Sequence, residues 1–147
     1  MVNMYLETRI GGMQKTTGFY GYVLEFVDSR GETHTISTLE REDDVTPNQL
    51  ILKAFIAALG RMRTPSEIAV YTDRIYLYGN FDKWLPVWKE NGWLNAHGEQ
   101  VKNRELWEQV DRLARLHLIT FRSEYKHSYK SWLTSELFGM SREAKKR

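Results

Sequence analysis

The chain has 147 residues, of which 41% are hydrophobic and 27% charged, and it contains no cysteine. This size and composition favour one soluble globular domain at 1–147, and they exclude disulfides, thiolate chemistry and cysteine-ligated zinc. The formal net charge of +2 excludes a polycation, although an acidic cluster at 39–44 and a basic tail at 141–147 place charge unevenly.

The first part of the chain predicts three antiparallel strands followed by a helix. Strand-forming residues fill 2–9, 19–28 and 33–39, and the stretches IGGMQKTTG and SRGE between them predict turns of a meander. The acidic segment 40–46 is expected to be a loop. Pro47 then suits the first turn of a helix. The predicted buried stripe of that helix is Leu52, Phe55, Ile56 and Leu59.

The rest of the chain predicts two further strands among helices. Residues 68–73, IAVYTD, form a short apolar strand that should lie parallel to the first, because a helix separates the two. Helical segments are expected from about 74 to 90, interrupted or kinked at Pro86. The remaining predicted elements are an amphipathic helix, a fifth strand and a final helix, at 103–117, 118–125 and 129–146. The predicted class is therefore α/β.

Asp73 ends the apolar strand IAVYTD. Ligand sites in such sheets gather at the carboxyl ends of strands, so this carboxylate could be a metal ligand or a base. The alternative is that Asp73 caps the helix that follows. Taken alone, the residues favour the cap.

Location follows from what the sequence lacks. The N-terminal stretch MVNMYLETRIGG has no basic-then-apolar signal pattern, and no apolar run approaches membrane-spanning length. We therefore expect a cytoplasmic protein with no membrane partner.

Several stretches together resemble type 1 ribonuclease H. YTDRIYL, KWLPVWKENGWLNAHGEQ and VKNRELW are similar to the family's strand ending in Thr-Asp, its Trp-rich handle and its Val-Lys-Asn motif. TPNQLILKAFIAAL resembles the family's first helix, and FYGYVLEF its second strand with a Tyr-Gly pair. The resemblance covers nearly the whole chain. It implies the ribonuclease H fold, a five-stranded mixed sheet flanked by helices, with a handle at about 81–107.

The resemblance also implies a nucleic-acid partner, since the family's handle helps to grip the DNA strand of an RNA/DNA hybrid. Aromatic rings would meet sugars, and amide or ammonium donors would meet phosphates. Some of the tryptophans must instead pack the handle's own core. Acidic residues among the basic ones predict a weak electrostatic grip. The candidate nucleic-acid-binding residues are Trp84, Trp88, Lys89, Lys102 and Asn103.

The family's reaction uses two magnesium ions held by carboxylates, because magnesium prefers oxygen ligands. Asp73 matches the fourth-strand aspartate. Glu7 is the only acid near the first-strand position, so Glu7 and Asp73 are the candidate ligands for Mg²⁺ or Mn²⁺. The family's first-helix glutamate falls on Ile51, which cannot ligate a metal.

The last helix also departs from the family pattern. Ser135 stands at the aspartate position with Glu136 beside it, and Glu136 could replace the aspartate only if the helix were rotated by about one residue. His127 resembles the mobile histidine that shuttles protons, although an isolated histidine is more often a surface residue. The candidate catalytic residues are Asp73, Glu7, Glu136 and His127.

Three functions are compatible with this pattern. The favoured one is a ribonuclease H-like protein that binds RNA/DNA hybrid or duplex and cleaves weakly or not at all, because Ile51 stands where the family has a glutamate. The second is an active Mg-dependent ribonuclease H. The third is a protein-interaction domain on a reused fold. Convergence of Glu7, Asp73 and Glu136 would favour the active enzyme.

Overall fold

Five strands form one mixed sheet in the order β3-β2-β1-β4-β5. A computed structural model describes residues 1–122 and 127–146. The strands are β1 (Val2–Arg9), β2 (Thr16–Val27), β3 (Thr33–Val45), β4 (Glu67–Tyr71) and β5 (Leu118–Arg122). β1, β2 and β3 pair antiparallel, whereas β4 runs parallel to both β1 and β5. The predicted sheet of three antiparallel strands and two parallel additions is confirmed.

The helices follow the predicted order. They are α1 (Pro47–Leu59), α2 (Ile75–Gly79), α3 (Leu85–Glu90), α4 (Arg104–Ala114) and α5 (Lys130–Lys145). Thr46 begins α1 with a capping box, in which its hydroxyl accepts a hydrogen bond from Gln49 N and Gln49 Oε1 accepts one from Thr46 N. None of the helices within 1–122 and 127–146 is both long and apolar enough to cross a bilayer.

Three local expectations were wrong. Segment 40–46 is not a loop, since β3 continues to Val45 along β2; charged residues suit this outer strand because it is an edge. The helical interruption before α3 is a π-helical turn, Asn80–Trp84, and Pro86 lies in the first turn of α3. Ile56 is only partly buried. The last residues of the predicted fifth strand, 123–125, lie outside the described residues.

The two faces of β1 contact different layers. Met4 and Leu6 join the main apolar core with residues of α1 and α4, whereas Tyr5 packs with Val23 and with Leu133 of α5. Alternate side chains of a strand face opposite sides, so Glu7 shares the face of Tyr5 and points towards α5.

Gly21 in β2 sets how closely α5 approaches the sheet. It lies opposite Glu7 in the β1–β2 register. A Cβ at Gly21 would stand 2.9 Å from Leu133 Cδ2 and 2.8 Å from Leu39 Cδ2. Leu133 is fully buried and lies about one helical turn beyond Lys130. The missing side chain therefore lets the first turn of α5 lie over the end of β1.

We predict that Gly21→Ala lowers the free energy of unfolding by about 1–3 kcal/mol, because the added methyl overpacks the contact with Leu133. Gly139→Ala is the matched control, since a Cβ there meets nothing within 4 Å. In the interior of α5, that change should instead stabilise by about 0.5–1 kcal/mol. Urea unfolding followed by circular dichroism measures both. Equal effects from the two variants would contradict the steric role of Gly21.

Candidate active site and nucleic-acid interface

Two carboxylates and one ammonium group meet where β1 and β4 end. Glu7 lies near the end of β1, and Asp73 follows β4, which is its parallel neighbour. Lys130, the first residue of α5, places its Nζ 2.6 Å from Glu7 Oε1 and 3.3 Å from Asp73 Oδ2. The Glu7 side chain is only 10% exposed. One lysine therefore bridges both acids.

The bridge has clear electrostatic consequences. Burial raises the pKa of Glu7, and the hydrogen bond and charge of Lys130 act against that rise. Burial alone would lower the pKa of Lys130, but its contacts with Glu7 and Asp73 raise that pKa overall. A raised lysine pKa means that this stabilisation is complete below the ordinary lysine value and is lost as pH rises through the folded value.

Asp73 does not cap the following helix. Arg74 is the N-cap residue of α2, and no side chain caps that terminus. The Asp73 carboxylate faces Lys130 instead. The capping alternative was therefore wrong.

His127 lies beside this group of charges. Its ring packs on Tyr5, with centroids 4.6 Å apart, and its Nδ1 accepts a hydrogen bond from Tyr129 N at 3.2 Å. Burial lowers the pKa of His127, the Lys130 charge lowers it further, and Asp73 acts in the opposite direction. A neutral imidazole with Nδ1 as acceptor is thus favoured. The shuttling role stays a prediction.

Glu25 anchors the segment that leads into α5. Its Oε2 accepts a hydrogen bond from Tyr129 Oη at 2.6 Å, and its Oε1 accepts bonds from Asn3 Nδ2 and Tyr5 Oη. These bonds lower the pKa of Glu25. The residue directly before Lys130 is therefore fixed to the sheet.

Glu136 does not join the carboxylate pair. It is exposed and lines a shallow surface cavity with Phe19 and Arg41. Among the described residues, Glu7, Asp73 and Glu136 do not bring their oxygens within 4.8 Å of one another. Ser135 is exposed as well. The expectation that Glu136 completes the site is not met, because Lys130 is the α5 residue that reaches it.

A pair of divalent ions does not fit the described residues at this site. Two carboxylates are present, but the space between them holds the Lys130 ammonium group. Ile51, at the position of the family's helix glutamate, is 1% exposed and lies in the main apolar core. Among the described residues, the donor set is therefore short of oxygen ligands and carries an extra positive charge.

One other cluster has ligand-type side chains. Asp28, Glu32 and His34 bring ligand atoms within 4.8 Å of one another at the β2–β3 turn. The Asp28 carboxylate accepts hydrogen bonds from the backbone of Arg30 and Glu32 and contacts His34 Nε2. These contacts are those of a hydrogen-bonded turn.

The handle tryptophans differ in exposure: Trp84 is exposed, whereas Trp88 and Trp107 are partly or fully buried. Trp84 is 42% exposed, and Lys83 Nζ lies 5.3 Å from its ring centroid. Trp88 is partly buried and packs edge-on against Trp107, which is fully buried. Lys89 is 2.9 Å from Asp111 in an ion pair. Trp84 is therefore the better placed of the two tryptophans to meet a ligand.

Asn103 lies where the handle returns to the core. It adopts the left-handed conformation at φ 62° and is the N-cap residue of α4. Its Oδ1 accepts a hydrogen bond from Gln49, and its Nδ2 donates one to Tyr76 Oη. A cavity of about 380 Å³ opens beside Asn103 and Gln49. Lys102 is exposed at this place.

A family model for RNase H matches residues 10–130. The chain belongs to the RNase H family. A protein named ribonuclease H from Clostridium botulinum is 36% identical over 121 residues, which cover 82% of this chain and 78% of that protein. A ribonuclease H from Acetivibrio thermocellus is 41% identical over 88 residues. That match covers 59% of this chain and 60% of the relative's length.

Solved structures share the RNase H fold. LC9-RNase H1, described as a type 1 RNase H with the type 2 active-site motif, has a TM-score of 0.78 at 19% identity. The match covers 94% of this chain and 70% of that one. Foamy viral protease-reverse transcriptase in complex with RNA/DNA hybrid has a TM-score of 0.67 at 15% identity, covering 90% of this chain and 18% of that one.

Sequence reasoning about this RNase H family member missed Lys130, Gly21 and Glu25. Lys130 carries a weak signal, because a positive charge at the start of a helix opposes the helix dipole and calls for an acidic neighbour. Gly21 has a sequence signal only as part of the Tyr-Gly pair. Glu25 has no sequence signal, since its partners are distant in the chain.

We predict that Lys130→Met raises the pKa of Glu7 further, because it removes the group that opposes burial. The pKa of His127 should rise as well, since a like charge is lost. Carboxyl and imidazole NMR titrations measure both values. Lys146→Met is the control, since Lys146 pairs with Glu143 at the far end of α5. An unchanged Glu7 titration in Lys130→Met would contradict the bridge.

Proposed function

We propose that this RNase H family member binds RNA/DNA hybrid or double-stranded nucleic acid and cleaves it weakly or not at all. The observation that carries the proposal is the Lys130 ammonium group between Glu7 and Asp73. A lysine at that place competes with divalent cations for the same oxygens. The buried Ile51 adds no ligand.

Nucleic-acid binding has support that does not depend on cleavage. One fold neighbour was solved with double-stranded DNA and another with RNA/DNA hybrid. In this chain, Trp84 offers an exposed ring, and Lys102 with Asn103 offers donors beside a cavity. Rings of this kind stack on sugars or bases, and such donors hold phosphate oxygens.

An active, Mg²⁺- or Mn²⁺-dependent ribonuclease H is the alternative. It is favoured by the relatives, which are named ribonuclease H. In that case Lys130 must leave the carboxylate pair before metal ions bind. The two proposals therefore differ in what happens when Lys130 is replaced.

We predict that Lys130→Asp cleaves a labelled RNA/DNA hybrid at least about tenfold faster than the natural chain, in Mg²⁺ or Mn²⁺. The substitution removes the competing charge and supplies a third carboxylate. The gain should vanish in Lys130→Asp/Asp73→Asn. Isothermal titration with Mn²⁺ gives a readout that does not depend on turnover, with tighter binding expected in Lys130→Asp.

Weak cleavage would be contradicted by three results together: rapid cleavage by the natural chain, loss of cleavage in Asp73→Asn, and no gain in Lys130→Asp. These results would establish the active alternative. No binding of hybrid or duplex by any variant would remove the nucleic-acid proposal altogether.

We also predict that Trp84→Ala weakens hybrid binding by about 5- to 100-fold, the range expected when one stacking ring is lost. Trp132→Ala is the matched control, since Trp132 is exposed to a similar extent, 43%, but lies on α5 outside the handle. Fluorescence anisotropy with a labelled hybrid measures both. Similar losses in the two variants would argue against a handle contact.

A further inference from the structure

A basic cavity of about 600 Å³ lies next to the carboxylate pair, between the β1–β2 hairpin, the segment after β4 and the end of α5. Four cationic residues line it: Arg9, Arg41, Arg74 and Lys145. Its other polar side chains are hydroxyls, including those of Thr8 and Ser141. Among the described residues, no carboxylate lines this cavity.

Three of the four cations form no ion pair with a described carboxylate. Within 1–122 and 127–146, Arg9, Arg74 and Lys145 have no carboxylate within 4.0 Å. Arg41 differs, because its Nε lies 2.9 Å from Asp43 Oδ1. The cavity therefore has a positive surplus that its own residues do not neutralise.

Two of these guanidinium groups are held in position by contacts that do not involve all of their N–H donors. Arg74 Nε donates a hydrogen bond to Thr8 Oγ1 at 2.9 Å. This bond uses Nε and not the two terminal nitrogens of the guanidinium group. The Arg9 guanidinium lies over the Phe138 ring, 4.7 Å from the centroid. A cation–π contact uses the flat face of the group and leaves its N–H edge for an acceptor.

The cavity adjoins the carboxylate pair through consecutive residues. Thr8 follows Glu7 in β1, and Arg74 follows Asp73 after β4. Phosphates of one strand advance by about 3.4 Å each along a duplex. A strand that passes Glu7 and Asp73 therefore brings neighbouring phosphates within reach of Arg74 and Thr8.

Among the described residues, two of the four handle cations form ion pairs with acids, against one of the four in the cavity. Lys89 is paired with Asp111, and Arg104 is paired with Glu108 at 2.7 Å. Guanidinium groups bind phosphate oxygens in a bidentate manner, and hydroxyls add further donors. The described lining of this cavity has arginines and hydroxyls but no carboxylate, although Asp43 contacts Arg41 and Thr17. The cavity is therefore suited to a phosphodiester group.

We infer that this basic cavity holds a backbone phosphodiester of the nucleic-acid strand that passes the Glu7–Lys130–Asp73 site. The inference rests on the proposed nucleic-acid binding and adds where the main electrostatic contact is made. Arg74 and Arg9 hold the phosphate oxygens, and Lys145 closes the α5 side. The handle then contributes ring contacts more than charge.

The test is the salt dependence of hybrid binding. Arg74→Gln, Arg9→Gln and Lys145→Gln are compared with Lys146→Gln, which changes the residue directly after α5 and does not line the cavity. We expect Arg74→Gln to weaken binding at least about fivefold and to reduce the slope of log K against log salt by about 0.9, the value of one phosphate contact. Lys146→Gln should match the natural chain. Urea unfolding checks that every variant is folded.

A second arm separates the possible sources of the anion. Inorganic phosphate and the hybrid are each titrated while the Thr8 and Gly11 amide signals are followed by NMR. Shifts with the hybrid at far lower concentration than with phosphate support the inference. Equal response to free phosphate overturns it in favour of a small-anion site.

The outcomes also separate this inference from the function on which it rests. If the hybrid binds and the cavity variants all behave like Lys146→Gln, the cavity assignment is wrong while nucleic-acid binding stands. If the natural chain binds no hybrid or duplex, both proposals fall.

Discussion

The ion pairs of Lys130 with Glu7 and Asp73 are the interactions on which the chemistry of this site depends. A carboxylate as buried as Glu7 is costly unless a positive charge lies close to it. In an enzyme that holds metal ions, the ions provide that charge. Here a side chain of the same polypeptide provides it, so the charge balance is built into the fold.

The rest of the structure fixes this lysine in place. Gly21 removes the side chain that would hold α5 away from the sheet, and Leu133 fills the space that results. Tyr129 is bonded to Glu25 directly before the helix begins. Packing on one side and a hydrogen bond on the other thus direct the first residue of α5 towards the ends of β1 and β4.

The sequence predicts the sheet better than the site. Alternating apolar residues and turn signals are local, so β1, β4 and the order of the helices follow from them. The extension of β3 to Val45 depends on its pairing with β2. The charged residues of this edge strand give no local sequence signal for that pairing. Asp73 carries a sequence signal because its Thr-Asp context is intact.

Which turn of α5 faces the acids could not be read from the sequence. Aligning the family pattern puts Ser135 and Glu136 at the site, but contact between Leu133 and Gly21 decides the matter and selects Lys130. Such a contact joins residues far apart in the chain. Long-range packing therefore places Lys130 at the site, and Lys130 is the residue that alters the expected metal chemistry.

Tyr76 connects the handle to the rest of the molecule. Its hydroxyl oxygen accepts hydrogen bonds from Asn103 Nδ2 and Trp107 Nε1, and Asn103 Oδ1 in turn accepts one from Gln49 of α1. A ligand that draws the Asn103 amide outward loosens the junction between two helices and the protrusion. Binding of such a ligand and the stability of that junction would then be coupled, each changing the other by the same free energy.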